Sequence, residues 1–148
     1  MGMAIREEHV GVNMKQISDT FYVAEQLTLN QIPELAQAGV KHVICNRPDH
    51  EGEGQTDSAL LKEAAEKAGM TFHFLPTAPG QFEAALVQQF GSLVAELDGK
   101  TLAFCRTGTR SLSLWTLANP EHRTPEELLN LAENAGYNMS GLIDRVAR

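Results

Sequence analysis

The sequence predicts an α/β fold of three layers, a mostly parallel central sheet flanked by helices. Short apolar segments alternate with helical patterns of roughly 10–17 residues, the signature of repeated strand–helix crossovers. The helical patterns close on glycine, at Gly39, Gly69 and Gly136, where a left-handed C-terminal turn is easiest. The 148 residues, 43% of them hydrophobic, suit one core. A chain of that size buries about 68–70% of the surface it exposes when unfolded, so no metal or disulfide staple is required.

Residues 1–13 show no periodicity and are read as an N-terminal extension, with Met14 an alternative start and 14–148 a single domain. Phe21-Tyr22-Val23 is a short strand. Thr28 with Gln31 forms a capping box, which predicts a helix to Ala38 that stops at Gly39. Val40 to Cys45 reads as a buried strand. The acidic, Gly-rich run 46–54 continues neither element. Asp57 or Ser58 caps a helix to Ala68, and Met70 to Leu75 is the next strand. Pro76, Pro79 and Gly80 form a loop before a long helix, Gln81 to Leu97. Asp98-Gly99 turns the chain into the strand Thr101 to Phe104. From Ser111 the pattern is helical through Ala118, a further helix starts at Pro125 and ends at Gly136, and Leu142 to Val146 is one more short helix.

Twelve Lys and Arg against nineteen Asp and Glu leave a net charge of −7. That balance argues against nucleic acid or an anionic membrane face as partner, because both reward clustered cations. A small anionic or phosphorylated substrate is compatible with it, since one loop of backbone N–H groups reverses the local field. The longest mostly apolar stretch, Leu112 to Ala118, is far shorter than the roughly 20 residues of a membrane-spanning helix. With no hydrophobic signal region at the N-terminus and only two cysteines, a cytoplasmic protein is expected. The histidines His9, His42, His50, His73 and His122 show no ligand spacing, so no metal and no cofactor is expected. His42 and His73 fall within strands and read as sheet residues, and Trp115 reads as core.

In parallel α/β folds, ligands bind at the carboxyl ends of the strands. Three loops arrive there: Asn46–Gly54, Pro76–Gly80 and Cys105-Arg106-Thr107-Gly108-Thr109-Arg110-Ser111. The last joins a strand to a helix through a tight turn holding a cysteine, a glycine and two arginines. Converging N–H groups of Arg106, Thr107, Gly108 and Thr109, with the helix N-terminus behind them, make an anion cradle. The same field favours a thiolate on Cys105. Arg110 adds a planar, bidentate donor for an oxyanion, whereas Arg106, at the loop's first position, is expected to point outward. Ser111 is expected to cap the helix and offer its hydroxyl to the sulfur. The plain alternative is a buried strand-end cysteine with solvated arginines nearby.

These residues carry a resemblance to a family. Cys-Arg-Thr-Gly-Thr-Arg-Ser (105–111), Val-Ile-Cys-Asn-Arg-Pro-Asp (43–49) and Ala-Gly-Tyr-Asn-Met-Ser-Gly-Leu (135–142) resemble the phosphatase-like domain of bacterial beta-lactamase hydrolase-like proteins, formerly a domain of unknown function. The resemblance spans roughly residues 14 to 142. It implies a dual-specificity/tyrosine-phosphatase-like fold and a cysteine-dependent phosphatase acting on phosphate monoesters. Cys105 would be the nucleophile, Arg110 and the loop amides would bind phosphate, and a thiophosphate would form on the cysteine. The family also occurs fused to a metallo-hydrolase linked to sulfide handling.

Three departures from the phosphatase pattern matter. The usual loop reads Cys-x5-Arg, but Cys105 to Arg110 is Cys-x4-Arg. Phe104 stands where a His usually precedes the nucleophile. The loop that normally supplies the general acid corresponds to residues 75–81 and contains no acid; losing such a group typically costs about 10²–10⁴ in rate. Asp49 is the first candidate to substitute, with His50, Glu51 and Glu53 beside it. The shorter ring also resembles that of rhodanese-type sulfurtransferases, which hold a persulfide and need no general acid; a non-catalytic anion-binding module is the third reading. Finally, in a dual-specificity-phosphatase-like sheet the strands leading to Cys45 and Cys105 are neighbours. Cys45 is therefore a candidate redox partner able to capture an oxidised Cys105 as a disulfide.

Overall fold

The computed structural model describes residues 12–146, so the expected extension 1–13 falls almost wholly outside the described residues, as does His9. Five strands form one sheet: β1 (Lys15–Gln16), β2 (Phe21–Ala24), β3 (His42–Cys45), β4 (Thr71–Phe74) and β5 (Thr101–Phe104), in the order β1-β2-β5-β3-β4. β2, β5, β3 and β4 are parallel; β1 pairs antiparallel with β2 through Lys15–Val23 and Gln16–Tyr22. The sequence reading missed β1, because two polar residues carry no hydrophobic alternation. The helices are α1 (Ile32–Gln37), α2 (Ser58–Lys67), α3 (Ala84–Glu96), α4 (Thr109–Ala118) and α5 (Pro125–Asn134), with 3-10 turns at Leu29–Gln31 and Ser140–Arg145.

The three layers follow from strand alternation. Phe21, Val23, Ile44 and Ala103 point to one face and pack with Phe90 of α3, Leu112 and Trp115 of α4, and Leu128 of α5. Val43, Cys45, Leu102 and Phe104 point to the other face and meet Ile32 and Leu35 of α1 and Leu61 and Ala65 of α2. β5, central and covered on both faces, is buried along its whole length. Trp115 is fully buried and stacks on Phe21, with ring centroids 5.3 Å apart and an interplanar angle of 6°. His42 bonds Thr71 Oγ1 at 2.8 Å and the Asp98 carbonyl at 2.9 Å, and His73 shares the same Thr71 hydroxyl at 2.9 Å. Both are satisfied sheet residues.

Three helix boundaries differ from the sequence reading. The residue 81–97 helix starts only at Ala84: Glu83 is extended (φ −69°, ψ 149°), and Phe82 packs against the core before the helix begins. The Ser111 helix starts two residues earlier, at Thr109, because Gly108 at φ 93° turns the chain into it. The terminal segment forms a 3-10 turn over Ser140–Arg145. No helix among the described residues is long and apolar enough to cross a membrane.

Ala24, Phe104, Cys45 and Phe74 lie in register across the sheet. The segments that follow them therefore leave from one edge, and the candidate site is built there.

Candidate active site

The loop 105–111 begins where β5 ends. The Cys105 N–H donates to the Ala24 carbonyl at 3.4 Å and the Gln26 N–H donates to the Arg106 carbonyl at 3.2 Å, so the segment after β2 buttresses the turn. Cys105 is fully buried, and the Gly108 N–H donates to its Sγ at 3.1 Å. Only a residue free to take positive φ can turn the chain at 108 and still present that N–H to the sulfur. Thr107 and Thr109 are exposed, and their hydroxyls bond each other at 3.1 Å.

Arg110, in the first turn of α4, is 8% exposed. Its Nη1 donates to Glu51 Oε2 at 2.9 Å and to the Thr77 carbonyl at 2.9 Å, and its Nη2 donates to Glu51 Oε1 at 2.8 Å. A guanidinium has five N–H donors in a fixed fork. Three are thus committed, all at its end and one flank. Nε–H and the second Nη2–H remain, on one edge, with the spacing that matches two oxygens of a tetrahedral oxyanion. Glu51 also accepts from Arg47 Nε at 2.8 Å, and Arg47 Nη1 donates to Gln26 Oε1 at 3.0 Å. Hydrogen bonding from Arg110, with help from Arg47, holds the Glu51 carboxyl down at about 2. Glu51 therefore remains a carboxylate. Arg47, Glu51, Gly52, Glu53, Pro79, Arg106 and Arg110 line a cleft of about 570 Å³ over this arrangement.

The structure corrects two expectations. Ser111 neither caps α4 nor serves the sulfur: Gly108 is the N-terminal cap, and the buried Ser111 hydroxyl donates to Asn46 Oδ1 at 2.8 Å. Asn46 in turn donates through Nδ2 to the Leu75 carbonyl, so Ser111 and Asn46 tie α4 to the loops after β3 and β4. Asp49, the first candidate acid, is engaged elsewhere. Its two oxygens accept from the Ser58 N–H at 2.8 Å and the Ser58 hydroxyl at 2.7 Å, capping α2; neither Asp49 nor the buried Cys105 lines the cleft. Glu51, named at first only as a substitute acid, is instead the carboxylate that orients Arg110. Arg106 is exposed as expected, yet it stands at the mouth of the cleft.

Cys45 pairs in register with Phe104, one residue before Cys105, and both cysteines are free. Its thiol donates to the Arg47 carbonyl at 3.4 Å, and burial pushes it up to about 12. A thiolate that could attack an oxidised Cys105 is therefore scarce at neutral pH. No group of three or more His, Cys, Asp or Glu that could hold a metal occurs among the described residues.

Sequence reasoning missed Asn46, the Thr77 carbonyl and Tyr137. Tyr137 sits in the quoted 135–142 segment, and its hydroxyl donates to the Thr107 carbonyl at 2.9 Å. Asn46 directly follows a strand at the carboxyl edge, which was a usable signal. A backbone carbonyl leaves none in the sequence.

Residues 13–121 match the family described as the beta-lactamase hydrolase-like protein, phosphatase-like domain. A beta-lactamase hydrolase-like protein of Agrobacterium fabrum is 34% identical over 102 residues, 69% of this chain and 24% of that protein. The chain thus spans about a quarter of the length of the curated relatives it matches. Among solved structures, a candidate phosphatase from Neisseria meningitidis is 35% identical, with a TM-score of 0.78 over 88% of this chain and 94% of that one. A kinase associated phosphatase with serine at its catalytic cysteine shares the fold at 16% identity, with a TM-score of 0.66 over 88% of this chain and 84% of its own.

Proposed function

Since the chain belongs to the phosphatase-like domain family of beta-lactamase hydrolase-like proteins, we propose that it hydrolyses phosphate monoesters with Cys105 as nucleophile. The supporting observation is the pairing of two preset donors: the Gly108 N–H on the Cys105 sulfur and the uncommitted edge of Arg110, held by Glu51. In this reading the Cys105 thiolate attacks phosphorus and the ester oxygen leaves with the bonding electron pair. Arg110 and the loop amides of Arg106, Thr107 and Thr109 hold the equatorial oxygens. Water then attacks the thiophosphate, releasing inorganic phosphate and restoring the thiolate. The loop over residues 75–81 has no acid and Asp49 is occupied. Esters whose alcohol leaves without a proton, aryl phosphates of the phosphotyrosine type, are therefore the favoured substrates. The two buried, unpaired cysteines suit a reducing compartment such as the bacterial cytoplasm.

Sulfur transfer through a Cys105 persulfide is the rival, favoured by the one-residue-shorter loop and the missing acid. One experiment separates them. Slow hydrolysis of activated aryl phosphates, lost in Cys105→Ser and near absent on alkyl phosphates, is the expected result. Rapid alkyl phosphate hydrolysis overturns the acid-free mechanism. Thiocyanate formation from thiosulfate and cyanide, with one sulfur added to Cys105 in the intact mass, establishes the rival. Phosphate binding without either turnover identifies a binding module.

A further inference from the structure

One side chain near the end of the chain touches the peptide that serves the thiol. At the C-terminus of α5 the Gly136 N–H donates to the Glu133 carbonyl at 3.0 Å and the Tyr137 N–H donates to the Ala132 carbonyl at 2.9 Å. This paired closure requires the left-handed Gly136, at φ 92°. It folds the chain back so that Tyr137 reaches the anion loop. Lys15 Nζ lies 4.7 Å from the centroid of the Tyr137 ring, and the hydroxyl donates to the Thr107 carbonyl at 2.9 Å. The other end of that same peptide unit is the Gly108 N–H, which donates to Cys105 Sγ at 3.1 Å. A Cβ at Gly108 would run into the Tyr137 hydroxyl, so the two groups lie in direct apposition.

We propose that Tyr137 is a positioning residue for Cys105, its hydroxyl pinning the 107–108 peptide in the orientation that aims the Gly108 N–H at the sulfur. The peptide is planar, so anchoring its carbonyl fixes its N–H as well. Rotating that N–H away from Sγ breaks the tyrosine bond at the same time. A hydrogen bond on the carbonyl also polarises the peptide and strengthens what its N–H donates. Burial, with the neighbouring Cys105 and Glu25, raises the Tyr137 hydroxyl above its ordinary range, so it stays a donor through neutral pH. Tyr137 lies beyond the residues matched by the family, 13–121.

The proposal rests on the phosphatase reading only in taking Cys105 as the working nucleophile, and its test does not depend on turnover. The ultraviolet absorbance of the thiolate is followed against pH, with the matching Cys105→Ser protein as blank. Tyr137→Phe keeps the ring and removes the donor. It should move the midpoint of thiolate appearance upward, with about five-fold less thiolate at a given pH below it, the worth of one ordinary hydrogen bond. The chain has only two tyrosines, Tyr22 and Tyr137. Fluorotyrosine incorporated in a Tyr22→Phe background therefore places a stronger donor at 137 alone and should move the midpoint downward, which keeps the test decisive if Tyr137→Phe folds poorly. An unchanged midpoint in the folded variants overturns the proposal. A shifted midpoint in a protein with no phosphate ester turnover supports the tyrosine's role while removing the phosphatase reading. Where turnover exists, kcat should fall with Tyr137→Phe more than KM rises.

Discussion

In the proposed reading Arg110 is the residue on which oxyanion recognition depends, and its value lies in how its donors are divided. Glu51 and the Thr77 carbonyl take three of the five, which leaves one edge of the fork to a ligand. A lysine at 110 supplies charge without that edge. Arg110→Lys should therefore weaken phosphate or vanadate binding by about 1.5–3 kcal/mol, the range for hydrogen bonds to charged groups. Arg106→Ala, at the cleft mouth, should cost less in the same inhibition assay, and the reverse order would refute the assignment. Glu51 gives a second test. Its carboxyl is held at about 2 against an ordinary 4.5. A depressed carboxyl stabilises the fold above its unfolded value and loses that contribution as pH falls through the folded one. The wild-type protein should therefore lose stability between about pH 4.5 and 2, and Glu51→Gln should flatten that limb in an acid unfolding series. Cys105, Gly108 and Arg110 were legible because they share one turn. Glu51 was not, since its bond to Arg110 joins residues 59 apart and an acidic, Gly-rich loop reads equally well as solvated.

At the scale of elements, α2 shows how a residue legible as chemistry can instead be architecture. Asp57 is the N-cap by position but makes no side-chain capping bond; Asp49 reaches across from the preceding loop to the Ser58 N–H and hydroxyl. Asp49→Ala should cost about 0.5–2 kcal/mol of stability, as lost caps do, and leave aryl phosphate turnover per folded molecule unchanged. A fall in turnover with intact stability would restore Asp49 as an acid. Helix cores and the four parallel strands were legible from period and glycine stops, and α5 opens as its composition suggests. Thr124 accepts from the Glu127 N–H, and Glu127 Oε1 accepts from the Thr124 N–H. The starts of α3 and α4 were not legible, because a tertiary contact precedes each: the packing of the half-buried Phe82 against the core before one, and the Gly108 turn beneath Tyr137 before the other.

Across the whole molecule, the site and the main core share α4. Residues 110–117 of that helix are all buried, so it is enclosed by the sheet and its neighbours while its first turn carries Arg110. On this side of the sheet Phe21 is stacked on Trp115 and edge-on to Phe90 at 6.1 Å and 86°. Phe21→Ala should remove about 3–5 kcal/mol, a large share of a typical total of about 5–15 kcal/mol. Whether that damage reaches the site depends on what else holds the loop. The 24–26 segment binds Cys105 and Arg106 through main-chain bonds, Glu51 grips Arg110 from the opposite side, and Ser111 is tied to Asn46. None of these contacts runs through the Phe21 ring. Phe21→Ala should consequently lower the melting temperature strongly, yet at low temperature change phosphate affinity less than Arg110→Lys does. Phosphate should still raise the melting temperature of the variant, as a ligand that binds only the folded form does. An affinity loss equal to that of Arg110→Lys in folded Phe21→Ala would mean that α4 shifts as a rigid body when its core contact is cut, and that the packed core rather than the loop's own bonds sets the position of Arg110.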